Sequence, residues 1–164
     1  MAHAAFFVCV FNRQEDKPVI QITKATPQEA AVLAALAICM WEDNTLEGLT
    51  AEFEEMLRSD EAAVYLLYAD NQPVAFAQCQ LRHDYVEGTE TSPVGYLEGI
   101  YVDVACRGRG YAKMLLCACE NWAKDMGCTE FASDCELDNT GSLAFHLAMG
   151  FEEANRVICF AKKL

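Results

Sequence analysis

Residues 101–113 read Tyr101-Val102-Asp103-Val104-Ala105-Cys106-Arg107-Gly108-Arg109-Gly110-Tyr111-Ala112-Lys113, and this stretch decides the fold. It begins as a β-rich segment, passes through a turn with two glycines and continues with apolar residues at helical spacing. Such a turn directs several free backbone N–H groups and the positive end of the helix dipole towards one point. A pyrophosphate fits that arrangement. A string this short also fits a solvated turn, so its context decides between the two interpretations.

Two other phosphate-binding loops fit this stretch poorly. A Walker loop ends in Gly-Lys-Ser/Thr, whereas Gly110 is followed by Tyr111 and Ala112. The dinucleotide-binding fingerprint needs a third glycine in an early βαβ unit, with an acidic residue about 20 positions later. Gly108 and Gly110 lie two-thirds along the chain and lack the third glycine. The sequence therefore disfavours both NTP hydrolysis and a dinucleotide site.

Strand-like and helical segments surround this turn along the whole chain. A capping box at Thr26-Pro27-Gln28-Glu29 starts a predicted helix that runs to about Trp41. Gly99 interrupts a predicted strand, which is typical of a bulge or a close backbone approach. The predicted elements, in order, are strand 19–23, helix 27–41, helix 49–58, strands 62–69, 74–82 and 94–104, helix 110–127, strand 129–133, helix 139–149 and strand 156–162. This order predicts an α/β fold with a mixed sheet in a single domain.

Composition bounds the class of protein. A chain of 164 residues that is 53% apolar is long enough for one domain with a sizeable core. Its 12 Lys and Arg against 25 Asp and Glu give a net charge of −13, which disfavours nucleic acid and anionic membranes as partners and favours cations. Nine cysteines, without a C-x-x-C pair, indicate no disulfide framework and no zinc site, and they suit a reducing cytoplasm.

Residues 1–18 stand apart from this pattern. The apolar run 4–11 is too short to cross a bilayer, and no basic region precedes it as in a signal peptide. We interpret 1–18 as an N-terminal extension of unknown role and 19–164 as the functional domain.

The glycine turn matches the Arg/Gln-x-x-Gly-x-Gly/Ala motif of the GNAT acetyltransferases at Arg107, Gly110 and Ala112. More specific segments are Arg82-His83-Asp84-Tyr85-Val86, Ser92-Pro93, Leu97-Glu98-Gly99-Ile100, Ala132-Ser133-Asp134 and Gly150-Phe151-Glu152-Glu153. Together they resemble the aminoglycoside 6'-N-acetyltransferases over residues 19–164. The resemblance implies a GNAT-type mixed sheet of about six to seven strands flanked by four helices. It also implies acetyl-CoA as co-substrate, no metal, an aminoglycoside as the second substrate and a homodimer.

The resemblance places residues on both substrates. Those expected to contact acetyl-CoA are Ile100, Tyr101, Val102, Arg107, Gly108, Arg109, Gly110, Tyr111, Ala112, Lys113 and Asn139. Those expected to contact the antibiotic are Trp41, Tyr85, Glu98 and Asp134. The chemistry of a polycation agrees, because its site needs carboxylates and an aromatic wall. Asp84 is a further candidate carboxylate.

Acetyl transfer requires a neutral amine, so a group must accept a proton from the ammonium, directly or through water. Glu98 is the first candidate for this role, and Asp134 is a second catalytic candidate. Each assignment has a structural alternative. Glu98 also fits a solvent-facing strand carboxylate, Asp134 a loop cap, and Trp41 a core residue at a helix end.

Three positions depart from the pattern of the family. Many GNAT enzymes carry a tyrosine where this chain has His146, which can either donate a proton to the leaving thiolate or pack a helix. Phe160 stands where related enzymes often carry a tyrosine, and its side chain cannot donate a proton. Asn155 stands where relatives carry an acidic residue, which weakens contact with one amine of the drug.

The sequence predicts direct transfer from acetyl-CoA to the 6'-amine, without an acyl-enzyme. The alternatives are acetylation of another cationic amine, such as a polyamine or a protein amine, and a module that senses acetyl-CoA without turnover. Amine-facing carboxylates at Glu98 and Asp134 disfavour the sensor, whereas an acidic pocket suits both enzymes.

Overall fold

The structure, a computed structural model, describes residues 17–163, so most of the predicted N-terminal extension lies outside it. Five strands and four α-helices form one α/β domain. Their bounds are β1 Ile20–Lys24, α1 Ala30–Ala37, α2 Leu46–Met56, β2 Ala62–Ala69, β3 Gln72–Arg82, β4 Val94–Val102, α3 Tyr111–Asp125, β5 Phe131–Ser133 and α4 Thr140–Ala148.

The strands lie in the sheet in the order of the chain. β1 to β4 are antiparallel neighbours, and β5 is parallel to β4. The predicted hairpin of β2 and β3 is confirmed. Asp70 and Asn71 form its turn at φ of 50° and 64°, a left-handed conformation that these two residue types tolerate.

Helices cover both faces of the sheet. On one face α1 and α2 bury Leu33, Leu49 and Phe53 against Phe76 of β3. On the other face α3 buries its apolar side against β2, β3 and β4, and Phe145 of α4 packs on the same cluster. Because both faces are covered, β2 and the 73–77 part of β3 are continuous apolar runs.

The first helical segment begins as predicted and ends early. The capping box is present, with the backbone N–H of Thr26 donating to the Glu29 carboxylate over 2.7 Å. A 3-10 turn at 27–29 precedes α1, which ends at Ala37, and a further turn carries the chain to Trp41. Trp41 therefore lies beyond the helix that was predicted to contain it.

The predicted strand 156–162 is wrong, and the described sheet has five strands where six to seven were expected. The apolar residues that suggested this strand are exposed, with relative accessibilities of 69% for Val157, 80% for Ile158 and 92% for Phe160. A strand needs a neighbour to bond its backbone N–H and C=O groups. Within residues 17–163 this segment has no such neighbour.

Candidate active site

A β-bulge in β4 shapes the centre of the site. Gln78 pairs with Gly99 and Cys79 pairs with Leu97, so Glu98 is an extra residue without a partner. Strand alternation is interrupted there, and Glu98 and Gly99 both face the side of α1 and α2. The bulge that Gly99 suggested in the sequence is therefore present.

The bulge borders a cavity of about 300 Å³ between the sheet, α2 and the end of α1. Its lining residues are Trp41, Asn44, Leu49, Glu52, Phe53, Met56, Gln78 and Glu98. A Cβ at Gly99 would lie 3.1 Å from the Trp41 ring, so glycine at this position leaves room for the indole. The Trp41 ring meets Phe76 edge-on, with 6.2 Å between the centroids. One wall of the cavity is thus aromatic, and Glu98 contributes a carboxylate.

Three hydrogen bonds hold the Glu98 carboxylate in place. Oε1 accepts from Gln80 Nε2 at 2.7 Å and from Arg82 Nε at 2.9 Å, and Oε2 accepts from Arg82 Nη2 at 2.8 Å. A carboxylate has about four acceptor positions, so Oε2 keeps one for a further donor. Burial alone would lower the pKa of Arg82, but hydrogen bonding and the charge of Glu98 raise it.

Asp134 is linked to the same group of side chains through Tyr96. The Tyr96 hydroxyl donates to Asp134 Oδ1 over 2.7 Å, and the Arg82 guanidinium lies 3.4 Å from the centre of the Tyr96 ring. Burial and this hydrogen bond raise the pKa of Tyr96 above its usual value, so the phenol stays a donor. Glu98 and Asp134, both predicted site residues, are therefore joined by Arg82 and Tyr96.

His146 connects α4 to the point where β4 and β5 separate. Its Nδ1 lies 2.8 Å from the Ser142 carbonyl oxygen, so Nδ1 carries a proton. Its Nε2 lies 2.9 Å from Ser133 Oγ, which is also 3.1 Å from the Leu97 carbonyl oxygen. The Ser133 hydroxyl is therefore within hydrogen-bonding distance of both the His146 ring and the Leu97 carbonyl oxygen.

β4 has an unpaired edge beyond this point. Its pairing with β5 covers only 95–97, so the edge of Ile100, Tyr101 and Val102 on the β5 side has no neighbouring strand in the described chain. An extended ligand arm can hydrogen bond to such an edge as an added strand does. The predicted contacts of these three residues with acetyl-CoA fit this geometry.

The glycine turn, residues 107–110, lies between the end of β4 and the start of α3. Gly108 and Gly110 have φ of 75° and 83°, conformations that favour glycine, and a Cβ on either would meet nothing within 4 Å. Arg109, Ala112 and Lys113 surround the start of α3, whose first-turn N–H groups have no acceptor within the helix. The turn fits a pyrophosphate.

Several predicted acetyl-CoA contacts have other partners in the structure. Arg107 donates through Nε to the Val102 carbonyl oxygen over 3.0 Å, which ties the turn to β4. The side chain of Tyr111 is buried in the core, which leaves only its backbone for a ligand. Asn139 is the N-cap of α4 and accepts from the Ser142 backbone N–H. Its amide nitrogen is the part that can still contact a ligand.

Asp84 and Tyr85 lie in the loop between β3 and β4 and do not line the cavity. Tyr85 is 80% exposed, and its hydroxyl donates to Glu87. Glu130 anchors the loop by accepting from the backbone N–H groups of Glu90 and Thr91.

Sequence reasoning missed several residues of the site. They are Glu52 and Gln78 in the cavity, Arg82 and Tyr96 beside Glu98, and Ser133 beside His146. One signal was readable for Gln78, because a polar residue follows Phe76 at strand spacing in an apolar run. The contact of Arg82 with Glu98 depends on strand register, which the sequence does not give.

Within residues 17–163, no group of three or more His, Cys, Asp or Glu side chains is arranged to hold a metal ion. No helix in the described part of the chain combines the length and apolarity needed to cross a membrane.

Curated proteins with similar sequences share one description. Aminoglycoside N(6')-acetyltransferase type 1 from Stenotrophomonas maltophilia is 45% identical over 146 residues, which cover 87% of this chain and 93% of that protein. The protein of the same name from Acinetobacter haemolyticus is 46% identical over 125 residues, which cover 76% and 86% of the two chains.

Solved structures agree. Aminoglycoside N-acetyltransferase AAC(6')-Iy in complex with CoA has a TM-score of 0.88 and 36% identity, with coverage of 92% of this chain and 99% of that chain. AAC(6')-Iy in complex with the bisubstrate analogue CoA-S-monomethyl-acetylneamine has a TM-score of 0.85 and 37% identity, with coverage of 89% and 99%.

The acetyltransferase (GNAT) family profile matches residues 31–151, which is most of the described chain. The open edge of β4, the glycine turn and the relatives lead to the same result: this chain belongs to the GNAT family of acetyltransferases, among the aminoglycoside 6'-N-acetyltransferases.

Proposed function

We propose that this protein is an aminoglycoside 6'-N-acetyltransferase, which moves an acetyl group from acetyl-CoA directly to the 6'-amine of an aminoglycoside and so causes antibiotic resistance. One observation carries the proposal. The bulge in β4 puts the Glu98 carboxylate and the Trp41 wall of the cavity beside the unpaired β4 edge. An amine in the cavity and a thioester along that edge would meet there. The names of the similar proteins support the same substrate pair.

The acceptor side uses the charge of the cavity. Trp41 provides a flat wall for a sugar ring, and the remaining acceptor position on Glu98 Oε2 receives the ammonium. Asp134, on the other side of Arg82 and Tyr96, binds a second amine. Asp84 and Tyr85 contact the antibiotic from the loop outside the cavity.

The donor side uses backbone groups. Acetyl-CoA supplies an activated acetyl thioester when bound. Ile100, Tyr101 and Val102 hydrogen bond to its pantetheine arm. The turn from Arg107 to Lys113 holds the pyrophosphate through backbone N–H groups and the helix dipole. Asn139, at the start of α4, contacts the arm through its side-chain amide.

The reaction requires a group that accepts a proton from the substrate ammonium, and a second group can donate a proton to the leaving sulfur. Glu98 accepts the proton of the substrate ammonium, directly or through one water, because its carboxylate borders the cavity. His146 is the candidate donor to the leaving sulfur, since its ring reaches the β4–β5 separation through Ser133. Asp134 assists by keeping the polycation oriented.

Release of free CoA thiol tests the function. Acetyl-CoA is offered with kanamycin, with a kanamycin analogue that carries a 6'-hydroxyl, and with spermidine, each separately. Turnover on kanamycin alone supports the proposal and the 6' position. Turnover on spermidine alone identifies another cationic amine as substrate. No thiol release with any of the three compounds identifies an acetyl-CoA sensor.

Glu98→Ala tests the catalytic assignment. We expect kcat on kanamycin to fall by about a hundredfold while acetyl-CoA affinity is unchanged. Glu55→Ala is the matched control, because Glu55 is an exposed carboxylate on α2 outside the cavity. Equal rates for wild type and Glu98→Ala would remove Glu98 from the mechanism.

We further propose a cytoplasmic homodimer whose functional domain is 19–164. Eight cysteines of the described chain are free, which suits a reducing compartment. The exposed apolar residues Val157, Ile158 and Phe160 suit contact with a second copy. Light scattering after gel filtration checks this, with Phe160→Ser expected to shift the mass from dimer towards monomer.

A further inference from the structure

Gln78 is the buried polar residue of the cavity that the proposed mechanism does not use. It lies in β3 opposite Gly99, is 8% exposed and lines the cavity beside Glu98. Its side-chain oxygen Oε1 is inaccessible and accepts no hydrogen bond from any residue in 17–163. The neighbouring Gln80, on the same face of the strand, has a partner in Glu98.

A buried acceptor without a donor destabilises a folded protein, because the group has left water and gained nothing in return. Most buried polar side chains avoid this cost by bonding within the protein. An apolar residue at this position would pack against Phe53 and Trp41 without the cost. The amide is therefore better explained by a ligand donor than by packing.

The rest of the cavity indicates which donor. Glu52 of α2 and Glu98 of β4 line it with carboxylates, and Asn44 adds another amide. None of its lining residues is a lysine, an arginine or a histidine. A cavity with several acceptors and no cation selects a ligand with several ammonium groups.

We propose that Gln78 and Glu52 form a further amine-recognition point, separate from Glu98 and Asp134, which binds an ammonium group of the acceptor other than the one that is acetylated. A rotation of the Gln78 amide by about 180° exchanges Oε1 with Nε2, so the oxygen leaves its inaccessible position and accepts a hydrogen bond from an ammonium group in the cavity. The Glu52 carboxylate attracts the same part of the substrate from α2. These two residues determine specificity and take no part in proton transfer. The proposal rests on the proposed function, since it assigns part of the same acceptor.

Paired variants test the point. Gln78→Met keeps the length of the side chain and removes its polar atoms, and Gln72→Met makes the same change at an exposed position of β3. Glu52→Gln removes a charge from the cavity, and Glu55→Gln removes one from the same helix outside it. Each is measured for neamine affinity by calorimetry with CoA bound, for acetyl-CoA affinity, for kcat/KM and for its urea midpoint.

Gln78→Met is expected to bind neamine about tenfold to a hundredfold more weakly, which is the effect of losing one hydrogen bond to a charged group. Its acetyl-CoA affinity stays unchanged, and its urea midpoint stays equal or rises because an unpaired acceptor is gone. Glu52→Gln is expected to weaken neamine about threefold to tenfold, since Glu52 is solvent-exposed. Both control variants stay at the wild-type affinity.

A single-amine acceptor makes the test specific. Gln78→Met should lose much less kcat/KM on 6-amino-6-deoxyglucose, which has only the amine to be acetylated, than on neamine. Unchanged neamine affinity in Gln78→Met would overturn the proposal. A parallel loss of neamine affinity, acetyl-CoA affinity and urea midpoint would also overturn it, because that pattern marks a structural role.

Failure of the proposed function gives a different pattern. If wild type binds neamine without acetylating it, and Gln78→Met still weakens that binding, the recognition point stands and the acetyltransferase assignment falls. If wild type acetylates neamine and Gln78→Met does so equally well, the assignment stands and the recognition point falls.

Discussion

Replacement of Arg82 by methionine should destabilise the fold through Glu98. Arg82 donates two hydrogen bonds to that carboxylate at 2.9 and 2.8 Å, and methionine keeps only its apolar stem. A hydrogen bond to a charged group contributes about 1.5–3 kcal/mol. The side chains are 39% and 18% exposed, so solvent weakens the pair. We expect Arg82→Met to cost about 2 kcal/mol of unfolding free energy, and the two residues to be coupled by about 1–2 kcal/mol.

A double-mutant cycle measures this coupling. Urea unfolding is followed for wild type, Arg82→Met, Glu98→Gln and the double variant, and the coupling is the departure from additivity. The contact of Arg82 with the Tyr96 ring is lost equally in both Arg82→Met variants, so it cancels. A coupling below about 0.5 kcal/mol, the scatter of independent sites, would show that the pair is not held as described.

Gly99→Ala should lower kcat/KM on kanamycin about tenfold with little change in acetyl-CoA affinity, because the new methyl displaces the Trp41 ring that lies 3.1 Å away. Steady-state kinetics measure this effect, and an unchanged kcat/KM would contradict the prediction. Gly95→Ala should lower the free energy of unfolding, measured with urea, by about 3 kcal/mol, since its Cβ would lie 2.6 Å from a methyl of α3 and from an aromatic ring of β5. A decrease of less than about 0.5 kcal/mol would refute the close packing. Hydrogen bonds from Thr91 and the loop backbone lower the pKa of Glu130 below 4.5, so its contribution to stability is present at neutral pH and is lost as the pH falls through that lowered pKa. Wild type should therefore be more stable than Glu130→Gln at about pH 7, with the two urea midpoints converging as the pH falls through the lowered pKa of Glu130, and a constant gap would oppose this assignment.

Sequence reasoning recovered the fold where local chemistry dictates it. The capping box at Thr26 and the Asp70-Asn71 turn depend on neighbouring residues only, and both are present. The strand predicted at 156–162 failed because apolar composition alone does not provide a neighbouring strand. Strand counts depend on partners, which local patterns do not reveal.

The structure groups the predicted site residues only in part. Trp41 and Glu98 line one cavity, whereas Asp84 and Tyr85 lie in a loop outside it. The connection of Glu98 to Asp134 requires the pairing of Arg82 with Val94 and of Gln80 with Tyr96. The register of two strands places residues that are distant in the sequence side by side, and the sequence of neither strand reveals it.

The extra residue in β4 changes which positions of the strand face α3. Before Glu98, the odd-numbered Gly95 and Leu97 face α3. After Glu98, the even-numbered Ile100 and Val102 do, while Gly99 and Tyr101 face the side of α1 and α2. Deleting Glu98 would restore regular alternation without turning either half of the strand over, because Leu97 faces α3 and Gly99 already faces the side of α1 and α2. The insertion therefore adds a carboxylate to the cavity while the residues on either side of it keep their orientation.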